Sequence, residues 1–163
     1  MRIMHPRLLV LIIVSAAVAV VGPARAIDGQ GRVSGKANAN AIDCGNVATQ
    51  SEMNNCFARE AKRIQDLLNA LVEELRKHVG PEESQELQRV QATWTAYRDA
   101  HCQWQAHFFE GGSIQPTEYS TCIAESSWSR IGELKFSLCE GHGMTGPCAA
   151  SRRYDRPTPT RGK

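Results

Sequence analysis

The sequence predicts an all-α protein, a small disulfide-bonded antiparallel bundle of three main helices. Apolar side chains recur at helical spacing along three long stretches, whereas two-residue alternation of the kind a strand needs never persists. The third observation is sulfur. Six cysteines, an even number, sit in a chain of 163 residues whose N-terminus reads as an export signal.

That signal has a basic start (Arg2, His5, Arg7), a run of 14 residues from Leu8 to Val21, and the small-x-small triplet Ala24-Arg25-Ala26. Cleavage is expected after Ala26. A membrane anchor is the alternative, but the run is short of the roughly 20 residues that span hydrocarbon. No cysteine lies within or just after it, so the expected product is not a lipoprotein and carries no transmembrane segment. The destination is the periplasm or the exterior, where thiols oxidise. Cys44, Cys56, Cys102, Cys122, Cys139 and Cys148 all survive cleavage and are expected to form disulfides rather than to bind zinc.

Residues 27–43 are rich in Gly, Asn and Ala and bury little, so they read as a flexible lead-in. Order begins near Cys44. Thr49 and Glu52 have the spacing of a capping box, and Met53, Phe57, Ile64, Leu68, Leu71, Leu75 and Val79 then follow on one helical face. Gly80 and Pro81 stop that helix, and Pro81, Glu82 and Glu83 suit the first turn of the next. The second helix carries Leu87, Val90, Trp94, Tyr97, His101, Trp104 and Phe108 as its stripe and ends at Gly111-Gly112. A third starts around Pro116 with Tyr119, Ile123, Ser127, Ile131, Leu134 and Leu138 inward. On this reading the aromatics of the second helix are core, and Arg98 pairs across the bundle with Glu60 or Asp66. The helical domain is expected over 44–139, followed by a cysteine-closed loop and a mobile basic tail over 140–163.

Geometry narrows the 15 possible cysteine connectivities. Cys102 and Cys122 lie ten residues either side of Gly112 and so sit at one height on antiparallel helices; an extended arm lets Cys44 fold back on Cys56; Cys139 and Cys148 close a short loop. A Cys56–Cys102 bond is the rival, and register favours the local set.

Charge is uneven. Residues 27–150 hold 11 Lys and Arg against 16 Asp and Glu, and residues 151–163 hold five against one. An acidic body with a short basic tail is the reverse of a nucleic-acid binder. Chemistry finds little footing. The sets His101, Cys102, His107 and Cys139, His142, Cys148 lack paired zinc spacing, and export oxidises their thiols. There is no G-x-S-x-G elbow, and a carboxylate pair for glycoside hydrolysis needs a cleft that a three-helix bundle hardly offers. Neither an enzyme nor a cofactor is expected.

The stretches "DCGNVATQSEMNNCFAREAKRIQDLLN", "LQRVQATWTAYRDAHC" and "EGGSI", with Cys122, Arg130 and Leu134 beyond them, resemble the LprI-like lysozyme inhibitor family. The shared pattern covers Cys44, Gln50, Glu52, Met53, Asn54, Cys56, Leu68, Asn69, Gln91, Trp94, Arg98, Asp99, Cys102, Gly112, Cys122 and Arg130. The resemblance implies an exported, disulfide-bonded helical domain of the bacterial envelope, associated in at least one member with inhibition of host lysozyme. Two departures stand out: the inhibitor that names the family looks like a lipoprotein, and the Cys139–Cys148 loop with its basic tail lies beyond the shared domain. The expected partner is lysozyme or another exported protein, steered by the acidic body toward basic enzymes. The candidate contact is the loop carrying Gly112, Ser113, Gln115, Glu118 and Tyr119. The alternative is an envelope module that binds without inhibiting, its tail touching anionic lipid or polymer.

Overall fold

A computed structural model describes residues 42–157. The signal segment, residues 27–41 and the last six residues lie outside them. Helix α1 spans Gln50–His78, α2 spans Pro81–His107 and α3 spans Gln115–Leu134. Two short 3-10 turns, Lys135–Leu138 and Glu140–Gly143, lead to a one-turn helix α4, Ala149–Arg152. Among the described residues there is no strand, and no helix is long and apolar enough to cross a membrane.

The start of α1 is the capping box that the sequence announces. Thr49 Oγ1 accepts from the Glu52 amide at 3.2 Å, and Glu52 Oε2 accepts from the amides of Thr49 and Ala48 at 3.0 Å. These bonds, Thr49 foremost, hold the Glu52 carboxyl below its ordinary value. At the other end Gly80 caps α2 with Pro81 in its first turn, so the α1–α2 connection is only Val79-Gly80.

The core lies mainly between α1 and α3, the most extensively packed pair. Ile64, Leu68, Leu71 and Leu75 from α1 meet Ile123, Trp128 and Ile131 from α3. Val79, at the end of the expected stripe, is exposed, and Leu138 lies past α3 in the first 3-10 turn. Cys44–Cys56, Cys102–Cys122 and Cys139–Cys148 form three bonds, which are the local set, with Cα–Cα separations of 5.7, 5.5 and 5.7 Å. The rival Cys56–Cys102 pairing does not occur.

Helix α2 departs from expectation. Its buried residues are Arg98, Cys102 and Ala106, spaced four apart, while Tyr97, Trp104 and Phe108 are 66%, 59% and 71% exposed. The aromatic stripe is real but faces solvent. Rotation explains it: at 100° per residue, the centre of the Arg98-Cys102-Ala106 face and that of the Tyr97-His101-Trp104-Phe108 face are roughly 130° apart. Once Cys102 must meet Cys122, Trp104 is turned away. Trp94 lies near the boundary and is half-buried against the core.

Arg98 also finds other partners than Glu60 or Asp66. Its Nε and Nη2 donate to Asp99 Oδ1 at 2.9 and 2.7 Å, Nη1 donates to Ser127 Oγ at 3.2 Å, and Nη2 reaches Gln65 Oε1 at 3.2 Å. Glu60 is taken by Arg63 one turn away, and Asp66 by Lys62. Neighbours at three or four residues win because they need no passage through the core.

The chain after Cys148 is not a mobile tail as far as residue 157. Tyr154 is buried and donates to Glu74 Oε2 at 2.6 Å; Arg153 pairs with the same carboxylate. Arg156 forks onto Glu125, with Nη1 to Oε2 at 2.7 Å, and lies over Trp128; Lys135 pairs with Asp155. The tyrosine supplies what composition hid: one buried ring with a partnered hydroxyl fixes a polar segment.

Two outcomes follow. Leu71, fully buried, should cost about 2–5 kcal/mol when replaced by Ala, measured by denaturant titration of the oxidised protein. Burial, then the bond to Glu74, pushes the Tyr154 hydroxyl from 10.0 up to about 12. A raised folded-state value contributes stability that is complete below pH 10 and disappears as pH climbs through 12. Glu74 is held below 4.5, chiefly by Tyr154, so its share is present above that pH and fades on acidification. The melting-temperature difference between wild type and Tyr154→Phe should therefore be widest between these limits and shrink in strong alkali.

Candidate functional site

Between α2 and α3 the chain makes an exposed turn, Phe108–Ile114. Its shape is set from below and from the side. The Cys102–Cys122 bond ties the two helices beneath it. Gly111 has φ of 78°, a left-handed conformation that glycine takes without strain, and the Gly112 amide donates to Phe109 O at 2.9 Å. On the flank, α1 reaches across: Asn54 Nδ2 donates to Ser113 O at 3.0 Å, while Asn54 Oδ1 accepts from Thr117 Oγ1 at 2.6 Å and from Gln50 Nε2 at 2.9 Å. One asparagine thus fastens the turn and the first turn of α3 to the start of α1.

The five loop residues singled out from sequence divide. Gly112 and Ser113 are exposed in the turn, whereas Gln115, Glu118 and Tyr119 belong to the first turns of α3 and are half-buried. Tyr119 packs on the core. The side chains that do protrude beside the turn are Phe108, Phe109 and Ile114, with Glu110 between them. Sequence reasoning missed Phe108 and Phe109 because it assigned Phe108 to the core and ended the second helix at Gly111-Gly112; Ile114 lay within the chosen loop but was not singled out.

The exposed face of α2 runs straight into this turn. Tyr97 stacks on His101 at 5.8 Å between ring centroids, His101 lies 6.0 Å from Trp104, and Trp104 meets Phe108 edge-on at 5.2 Å. The four rings make a continuous ladder of about three helical turns. The signal that could have placed it outward was available: a half-cystine at 102 fixes the rotation of the helix.

The remaining pattern residues are structural neighbours. Trp94 lies between two guanidinium groups, Arg98 at 5.2 Å and Arg130 at 5.7 Å from its ring. Arg130 also donates to Gln91 Oε1 at 3.2 Å and pairs with Glu133. An open groove of about 960 Å³ adjoins them, lined by Glu82, Glu83, Glu86, Leu87, Val90 and Leu134 among others, so the bundle is less smooth than three helices imply. Glu52 caps α1, Asp99 holds Arg98, and Asn69 is exposed on α1 with nothing in the structure to explain it. In the two sets weighed as metal ligands, Cys102, Cys139 and Cys148 are committed to disulfides, and among the described residues no three His, Cys, Asp or Glu are grouped to hold a metal.

Fold and cysteine framework define a disulfide-stapled three-helix protein whose exposed feature is an aromatic ladder ending in a fastened turn. The chain belongs to the lysozyme inhibitor LprI family, whose model matches residues 43–134, more than half of the sequence. It is 27% identical over 106 residues to the uncharacterized protein R02472 of Rhizobium meliloti (strain 1021), a span of 57% of this chain and 76% of that protein. No solved structure matches. The matched region ends at the close of α3, so the Cys139–Cys148 loop and the Tyr154 strap lie outside it.

Replacing Asn54 by Ala removes the fastening at Ser113 and Thr117 together. The expected cost is about 1–3 kcal/mol, with amide exchange accelerated at residues 113–117 and unchanged in the middle of α1, read by hydrogen–deuterium exchange.

Proposed function

We propose that this protein is an exported binding protein of the bacterial envelope that blocks lysozyme, with the turn Phe108–Ile114 as its contact. The reading rests on membership of the LprI family and on one observation of the fold: the protruding turn is tied by a disulfide at its base and by Asn54 at its side. A segment that enters an enzyme cleft must lose its freedom on binding, and a turn ordered beforehand loses little. Three disulfides suit the oxidising compartment in which such an inhibitor meets its target.

Electrostatics favour the same partner. Animal lysozymes are basic proteins, and the body of this chain over 27–150 is acidic. Glu118, which would face the catalytic carboxylates if it lay at the tip of the loop, sits instead in the first turn of α3, where the helix N-terminus favours it. The alternative role for the basic tail, contact with anionic lipid or polymer, is weakened by the pairing of Arg153 with Glu74 and of Arg156 with Glu125.

The test is titration of the oxidised protein into a lysozyme assay on bacterial cell walls. Inhibition should saturate with protein, fall by at least severalfold in Asn54→Ala, and disappear when Cys102 and Cys122 are both replaced by Ser. Full lysozyme activity at large molar excess of the oxidised wild type defeats the proposal.

A further inference from the structure

The aromatic ladder on α2 is larger than a contact turn needs. Tyr97, Trp104 and Phe108 are each more than half exposed, although rings of this size are normally buried or paired with a partner. The segment that carries them is nearly free of fixed positive charge. From residue 90 to residue 129 the sequence holds one lysine or arginine, Arg98. That one is 5% exposed and bonded to Asp99. Glu110 and Glu118 lie at the turn end of the same segment; Glu110 pairs with the His107 ring at 3.1 Å.

An aromatic face carries negative charge at its centre and attracts cations, most strongly at indole. Inside the protein the same chemistry is already satisfied: Arg98 and Arg130 cover Trp94, and Arg156 covers Trp128. Trp104, the third tryptophan, meets its ladder neighbours His101 and Phe108 and has no lysine or arginine over its ring among the described residues. We infer that the ladder Tyr97-His101-Trp104-Phe108 docks arginine and lysine side chains of a basic protein partner over its rings, with Glu110 and Glu118 pairing to cations at the turn end. This rests on the reading of a basic target such as lysozyme, and it adds which surface holds that target and by what interaction.

Leucine and tyrosine replacements separate a cation over a ring from general apolar contact. Trp104→Leu keeps apolar area and removes the ring face; Trp104→Tyr keeps a ring. Trp104 and Phe108 are both exposed, so each variant should melt within a few degrees of wild type. Calorimetric titration against animal lysozyme, and separately against a synthetic arginine-rich peptide, gives the readout. Trp104→Leu and Phe108→Leu are each expected to weaken binding about fivefold to thirtyfold, and Trp104→Tyr by no more than about threefold. Lysozyme bound equally well by wild type, Trp104→Leu and Phe108→Leu overturns the ladder inference and leaves lysozyme blocking intact. Binding of the arginine-rich peptide with the expected ranking, but not of lysozyme, upholds the ladder and removes lysozyme as the target. Equal tightness in Trp104→Leu and wild type with loss in Trp104→Ala overturns the cation account, as does binding of neither probe.

Discussion

The arrangement of α2 depends on one buried guanidinium. Arg98 touches all three main helices: Gln65 of α1, Asp99 and Trp94 of its own helix, and Ser127 of α3. A charge at that depth is tolerated because a carboxylate neutralises it, two neutral acceptors occupy the rest of the fork, and an indole lies against its face. Ser127 is fully buried and its hydroxyl donates to Ile123 O at 2.7 Å, so the network is closed. Among the described residues no buried side-chain nitrogen or oxygen lacks a partner.

This polar seam, continued by Cys102 and Ala106, replaces the apolar stripe by which helices usually join a core. The seam takes up the inward face of α2 with one charge, one disulfide and one methyl. Trp94 packs partly against the core, and the rings of Tyr97, His101, Trp104 and Phe108 are left over. A helix held by directional and covalent contacts can afford an aromatic surface, because its position does not depend on burying that surface. Arg98 and Cys102 thus create the ladder as surely as the ladder's own residues do.

Fastening recurs at every scale of the molecule. Short-range disulfides pin the lead into α1 and the loop after α3, and each constrains a separate unfolded segment. Asn54 and Gln50 do by hydrogen bonding for the α2–α3 turn what Tyr154 does for the C-terminal segment. Gln50, Asn54, Arg98, Asp99 and Cys102 all belong to this fastening. The Tyr154 strap performs the same task outside the matched region, tying Glu74 near the end of α1 and Glu125 and Trp128 of α3.

Length, helix count, the capping box at Thr49, the Gly80-Pro81 break and the local disulfide set were legible in the chain, because each depends on residues close in sequence. Residue spacing alone also revealed the aromatic stripe of α2. What it could not decide was the direction of that stripe. Hydrophobic periodicity names a face, and only the bond from Cys102 to Cys122 and the reach of Arg98 to Ser127 and Gln65 rotate that face toward solvent. The Asn54–Ser113 and Tyr154–Glu74 contacts, 59 and 80 residues apart in sequence, were equally invisible. Such pairings depend on where three helices come to rest against one another, which is a property of the packed molecule rather than of any one segment.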